Sequence, residues 1–309
     1  MRRLVGWCAV VMLFFSGAAF GGPMLLYTIG PDGYSVPDRL FSFSSTDIPF
    51  IHENWIWDLA DGTLGLFTGG LTYQASNNRL YAVANDSLGN GELVDFGLNG
   101  LGLNYDVALT GGVGWLEGLS VGPNQDLFYA IGETCDTGCV PWIYEIDPTS
   151  KAVTPLFAVG DGSQFFFGLT YDPANKLFYG IALDSDGNSF LYSIDTVAKS
   201  YTEITAVTLG TGYTGGIAYD VANDVFFAIW NDSDGYSYLD RITLGSSPSV
   251  NFVSYFYTPA NGGFWNAGLT FGPEENGPQT TPEPATGLLA GLALIGAGLA
   301  RRFIRSHSK

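Results

Sequence analysis

Five aromatic residues recur at one spacing. Phe67, Trp115, Phe165, Tyr213 and Trp265 each stand three residues before the glycine of a related tetrapeptide: GLTY, GLSV, GLTY, GIAY and GLTF, starting at Gly70, Gly118, Gly168, Gly216 and Gly268. Aromatic faces gathered in a ring suit stacking on sugars, whose C–H faces are apolar, while nearby Asn and Asp accept hydrogen bonds from hydroxyls. A packing wedge repeated once per structural unit would show the same recurrence. A second set is acidic. The stretches NDSLGNG, LDSDGNS and NDSDGYS carry Asp86, Asp184, Asp186, Asp232 and Asp234. Calcium prefers several oxygens at such spacing, but Gly187 falls too early for the twelve-residue calcium loop and no closing Glu follows. Hairpin chemistry accounts for Asp, Asn and Gly at these reversals, so no cofactor is implied.

Nucleophilic chemistry has less support. Between the two ends of the chain the single histidine is His52, in PFIHENWIWDL, and neither a Gly-x-Ser-x-Gly elbow nor a Cys/His set accompanies it. His52, Glu53 and Asp58 could assemble acid–base work. A surface histidine on an irregular connection is the simpler reading. Paired carboxylates for glycoside cleavage would be easy to hide among 30 acidic residues, and the sequence singles out no pair.

The elements that must hold these side chains follow from the repeat. Its glycines are separated by 48, 50, 48 and 52 residues, a period that points to a propeller or a solenoid. The fullest copy starts at Gly168. A strand ends at Asp172, Pro173–Lys176 turn, a second strand runs Leu177–Leu183, Asp184–Asn188 reverse the chain, and strands Ser189–Asp195 and Tyr201–Thr208 follow. Four short strands rich in β-branched and aromatic residues, joined by Asp/Gly/Asn turns, describe a propeller blade. Ten and eleven residues after the repeat glycine stand Leu80-Tyr81, Phe128-Tyr129, Phe178-Tyr179 and Phe226-Phe227. These aromatics are expected to pack between adjacent blades.

The fifth copy stops after GLTF, and the missing strands occur at the other end. MLLYTIG (Met24–Gly30) resembles LFYGIAL, and DRLFSFS resembles a third strand. The expectation is an all-β, five-bladed β-propeller of four-stranded blades. N- and C-terminal strands share one blade, and closing the ring removes the exposed sheet edge. The five aromatics then fall on connections between blades, around one mouth of the central channel.

The two ends read as addresses. Arg2 and Arg3 precede the apolar run Leu4–Phe15 and the small residues Ser16–Ala19, the pattern of a secretory signal peptide over residues 1–22. At the other end, Pro282-Glu283-Pro284 is followed by sixteen uncharged residues, Ala285–Ala300, and then Arg301-Arg302. This tripartite pattern closely resembles the PEP-CTERM sorting signal. The resemblance implies an exosortase-type processing enzyme acting near Pro-Glu-Pro, an inner-membrane stage, and association with extracellular polysaccharide and biofilm matrix. As a short hydrophobic helix the run would rise only ~24 Å, less than a ~30 Å hydrocarbon core, which suits a transient anchor. A permanent single span is the alternative and gives the same orientation, with Arg301, Arg302 and Arg305 on the cytoplasmic side. The expected division is signal peptide 1–22, propeller 23–272, linker 273–281 and sorting segment 282–309.

Residues 23–281 hold 6 basic and 29 acidic residues. Such a surface repels nucleic acid and anionic lipid. Cys135 and Cys139, in ETCDTGCV, lie around a tight reversal and are expected to form a disulfide in an oxidising compartment; two cysteines with no histidine nearby make an incomplete zinc set. The resulting expectation is an exported surface or matrix protein with a binding or structural role and polysaccharide as favoured ligand. The alternatives are a propeller hydrolase or lyase acting on sugars or lactones, and a protein-binding scaffold.

Overall fold

The computed structural model describes residues 24–30, 39–44, 52–55, 64–86, 91–109, 116–134, 140–160, 162–213, 215–232, 236–257 and 267–273. The chain begins with β1 (Met24–Gly30), β2 (Arg39–Ser44) and β3 (His52–Trp55). Blade one follows as β4 (Leu64–Gln74), β5 (Arg79–Asp86), β6 (Gly91–Phe96) and β7 (Asn104–Leu109). Blade two is β8 (Leu116–Val121), β9 (Phe128–Thr134), β10 (Val140–Asp147) and β11 (Ala152–Ala158). Blade three is β12 (Gln164–Asp172), β13 (Leu177–Asp184), β14 (Ser189–Asp195) and β15 (Ser200–Glu203). Blade four is β16 (Ile217–Asp220), β17 (Val225–Asn231), β18 (Tyr236–Thr243) and β19 (Ser249–Tyr257), and the last described strand is β20 (Ala267–Pro273). Five antiparallel four-stranded sheets result, and the fifth has the order β20-β1-β2-β3. The architecture is the expected five-bladed propeller, closed by strands from both ends of the chain.

Local sequence explains the hairpins. In blade three, Asp172 Oδ1 accepts the N–H groups of Ala174 (2.8 Å) and Asn175 (3.3 Å), and Oδ2 accepts the Asn175 side chain (2.7 Å). Asp220 repeats the arrangement in blade four with Ala222, Asn223 and the Asn223 amide. Short acceptors that hold their own backbone end one strand and aim the next. Between such turns, strands such as LFYGIALD are buried over five successive residues, Phe178–Ala182, so both of their faces are covered by neighbouring blades.

The repeat glycines do the central packing. A Cβ on Gly70 would lie 2.6 Å from Leu119 N, one on Gly118 2.8 Å from Gly168 C, and one on Gly168 2.7 Å from Gly216 Cα. Four of the five glycines also have φ between 68° and 97°, where a side chain is strained; Gly118 is the exception. Inner strands therefore touch backbone to backbone around the axis, which any side chain would prevent.

The third residue of the tetrapeptide adds a hydrogen bond between blades. Thr72 Oγ1 accepts from Val121 N (3.1 Å), Thr170 Oγ1 from Tyr219 N (3.1 Å) and Thr270 Oγ1 from Tyr73 N (3.2 Å). The aromatics of the second strands complete the seams as expected. Ring centroids lie 4.5 Å apart for Tyr81–Phe128, 4.8 Å for Tyr129–Phe178 and 4.7 Å for Tyr179–Phe226. At the fourth seam Phe227 meets Phe271 edge-on at 5.7 Å. In the closing blade the Leu26-Tyr27 pair takes these places: Leu26 packs with Phe227, and Tyr27 with Leu80.

Two expectations of detail are corrected. The outer strand of blade three ends at Glu203 rather than Thr208. Beyond it Ile204 N donates to Leu191 O, the chain turns, and Val207 and Leu209 are buried against Phe226 and Ile242 of blade four. Hydrophobic cover for the next blade outweighs further rungs of ladder. His52 opens the outer strand β3, paired with Ser42, instead of lying on an irregular connection.

Candidate functional site

Of the five recurring aromatics, two have described side chains, and they behave differently. Phe165 lies on β12 opposite Leu183 and is 45% exposed. Tyr213 lies ahead of β16 and is 3% exposed. Phe67 pairs with Ala84 inside β4, although its side chain lies outside the described residues, as do Trp115 and Trp265. In blades one and three this position is thus part of the inner strand rather than a connection, because β4 and β12 start early and absorb the offset in bulges.

The acidic turns lie at the same end of the strands. Asp184 Oδ1 accepts the N–H groups of Asp186 and Asn188 (both 2.9 Å), and Oδ2 accepts the Asn188 side chain (2.8 Å). The Asn188 amide chiefly holds the Asp184 carboxyl below its usual value. Asp232 accepts from Tyr236 N (2.9 Å) and from the Tyr238 hydroxyl (2.8 Å). These oxygens tie down turns. Among the described residues no group of three or more His, Cys, Asp or Glu could hold a metal ion. Asp234, Cys135, Cys139 and the sorting residues Pro282, Glu283, Pro284, Arg301 and Arg302 lie outside the described residues, as does the side chain of Asp86.

Tyr213 forms one wall of a cleft between blades three and four. The segment before it is pinned from both sides: Ser189 N donates to Gly210 O (3.1 Å), Gly212 N to Gly187 O (3.2 Å), and Asn231 N to Gly212 O (3.0 Å). Gly212 is needed there, with φ +82° and a Cβ that would stand 2.8 Å from Asn231 O. The Tyr213 hydroxyl donates to Asp240 Oδ2, and its ring lies 6.5 Å from that of Trp230. Burial, reinforced by the Asp240 hydrogen bond, drives the Tyr213 pKa far upward. The cleft, about 390 Å³, is lined by Gly210, Thr211, Tyr213, Trp230, Asp240 and Val250. Sequence reasoning found Tyr213 through the repeat but missed Trp230 and Asp240. Neither holds a position that recurs as the same residue type in the other blades.

A pair of carboxyls was also missed. Glu117 is the unpaired residue of a bulge in β8, between the Leu116–Gly132 and Gly118–Ile131 pairs. Its neighbour is Glu133 on β9. Glu117 Oε2 and Glu133 Oε1 are both buried and have no hydrogen-bond partner among the described residues. Burial first, and the Glu133 charge second, push the Glu117 carboxyl up to about 8, and burial raises Glu133 as well. The signal was available: the residue before the repeat glycine is Gly69, Phe167, Gly215 or Ala267 in the other copies, so Glu117 is the single acid there.

Comparison with known proteins adds an address and a fold. Residues 280–302 are a PEP-CTERM protein-sorting motif. The motif implies an exported protein, sorting or membrane anchoring at the C-terminus, and processing by an exosortase. Among the described residues no helix is long and apolar enough to cross a membrane, and the expected C-terminal helix lies outside them. TolB from Acinetobacter baumannii is similar at 10% identity with a TM-score of 0.51, over 82% of this chain and 67% of that one. A putative TolB from Agrobacterium tumefaciens aligns at 13% identity and TM-score 0.45, over 82% of this chain and 99% of that one. A protein of unknown function from Bacteroides thetaiotaomicron aligns at 12% and 0.48, over 80% and 65%. At 10% identity the likeness to the Acinetobacter TolB concerns the fold alone, which does not select an activity. No curated protein sequence matches the chain.

Proposed function

We propose that this exported propeller is a non-catalytic binding or structural component of the cell surface or extracellular matrix, with polysaccharide as its ligand. The observation that carries the reading is Phe165. A recurring aromatic that served only as a wedge would be buried, as Tyr213 is, whereas Phe165 presents 45% of its surface to solvent where the inner strands begin. A planar apolar face at the mouth of a rigid ring is a stacking surface for sugar. Phe67, Trp115 and Trp265 hold the same repeat position and extend that surface in this reading.

The remaining parts follow the same address. Residues 1–22 act as signal peptide, 23–272 as propeller, 273–281 as linker and 282–309 as the segment held in the inner membrane until processing. Arg301 and Arg302 stay on the cytoplasmic side. Cys135 and Cys139 form a disulfide once outside. The test is a titration of the full chain, purified in detergent, with the producing organism's extracellular polysaccharide, followed by tryptophan fluorescence. A saturable change that Phe165→Ala weakens supports the reading; no change at any accessible concentration sinks it and leaves a protein-binding scaffold.

The Glu117–Glu133 pair favours a second reading, a hydrolase or lyase acting on sugars or lactones. A carboxyl that keeps its proton to about 8 beside a second carboxyl is a proton donor of the type glycoside cleavage uses. Release of new reducing ends from a neutral glycan, abolished in Glu117→Gln, would select it. Intact glycan after prolonged incubation would reject it.

A further inference from the structure

Blade four carries a concentration of aromatics that the repeat does not explain. Trp230 on β17 pairs with Tyr238 on β18, and Tyr238 pairs with Tyr255 on β19, so three rings form one row across three strands. Trp230 and Tyr238 are stacked, with centroids 3.9 Å apart and planes inclined by 8°. The row continues with Tyr255 at 6.2 Å from Tyr238, and Phe252 stands 6.5 Å from Tyr238. Its outer members face water: Phe252 is 61% exposed and Tyr255 58%. In blade three the matching outer strand is SYTE, with the single aromatic Tyr201. Exposed rings clustered in this way are costly to leave in water and mark a contact surface. At its inner end the row reaches Trp230 and so the cleft where Tyr213 donates to Asp240.

We propose that the row and the cleft together bind a neutral polysaccharide, with successive sugar rings lying on Tyr255 and Phe252 and one unit entering the cleft toward Thr211 and Asp240. The inference rests on the polysaccharide reading above and adds a binding surface on blade four that does not include Phe165. Charge decides the class of occupant. Residues 23–281 hold 29 acidic residues against 6 basic, and Asp232 and Asp240 stand beside the row, so anionic glycans, nucleic acid and anionic lipid are repelled. Flat apolar faces with carboxylate and hydroxyl acceptors at their margin match the alternation of C–H faces and hydroxyl rims in a neutral sugar chain. A cleft of about 390 Å³ falls in the usual range for small-ligand sites, roughly 300–1,000 Å³. The rings need little ordering on binding, because stacking already fixes Trp230 on Tyr238.

The test uses the full chain in detergent with three neutral probes (a linear β-glucan, a galactomannan and dextran) and one anionic probe, alginate. Calorimetry and tryptophan fluorescence report binding, in the wild type and in a Phe252→Ala/Tyr255→Ala double variant. Both rings are exposed, so the double variant folds, and an unchanged denaturation midpoint verifies it. Saturable binding of at least one neutral probe, weakened tenfold or more in the double variant, is the expected result. Neutral binding that survives the double variant and is lost only in Phe165→Ala overturns this inference while leaving the polysaccharide reading intact. Binding of alginate alone overturns the neutral class. Silence from every probe overturns this inference; the polysaccharide reading falls with it only when the producing organism's own polysaccharide is silent as well.

Discussion

Gly268, near the start of the last strand, packs so closely on Leu71 of the first complete blade that a Cβ in place of its hydrogen would lie 2.5 Å from the Leu71 nitrogen. One such contact per blade runs around the axis, and the one between Gly268 and Leu71 joins the closing blade to blade one. Gly268→Ala and Gly216→Ala should each cost more than about 3 kcal/mol, since overpacking against rigid backbone adds to a left-handed φ. Gly187→Ala is the control, with φ +81° but, apart from its chain neighbours, no atom of the described residues within 4 Å of the added carbon. It should cost only about 1 kcal/mol. Urea denaturation of the three variants measures the difference.

The closing strand sets where the chain can be cut. β20 pairs with β1 from Met24–Pro273 to Ile29–Ala267. A chain ending at Gly277 should keep the far-ultraviolet signature and monodisperse elution of the whole propeller. A chain ending before Ala267 leaves blade five without its inner strand and exposes an edge, and it should aggregate. Size-exclusion chromatography with circular dichroism distinguishes the two.

The threonines of the tetrapeptide make a graded test. Thr72→Val leaves the Val121 N–H buried without its acceptor and should destabilise by about 1–3 kcal/mol. Ser is a milder change because the hydroxyl remains. Ala218 occupies the same position without a hydroxyl. Ala218→Ser should therefore have little effect on the denaturation midpoint.

Stability should depend on pH through Glu117. Its carboxyl titrates near 4.5 in the unfolded chain and at about 8 when folded. Above 4.5 the unfolded chain has released a proton that the folded form retains, so the protein is favoured below 4.5 and loses that advantage as pH rises through about 8. Denaturation midpoints should fall between mildly acidic pH and pH 8. Glu117→Gln, neutral throughout, should flatten the profile. An unchanged slope in that variant would show that other groups produce it.

The blade was legible because its determinants are local and repeated. A glycine every fifty residues, an Asp or Asn at each reversal and a paired aromatic ten residues on are each set by backbone geometry or by contact with an identical neighbour. Tyr81–Phe128 and Tyr179–Phe226 could be foreseen for that reason. The end of the outer strand in blade three could not, since Val207 and Leu209 leave the ladder to cover blade four, a gain that depends on where blade four lies.

The sites divide along the same line. The sequence by itself determined the address at residues 280–302, the five-fold repeat, and the aromatic position that includes Phe165 and Tyr213. Those features are written in residue type and spacing alone. Only the tertiary structure decided that Phe165 faces solvent while Tyr213 is buried on Asp240, and that Glu117 meets Glu133. It alone aligned Trp230, Tyr238 and Tyr255 across three strands. Burial and register belong to pairs of segments rather than to one, and equivalent repeat positions acquire different environments once the ring closes.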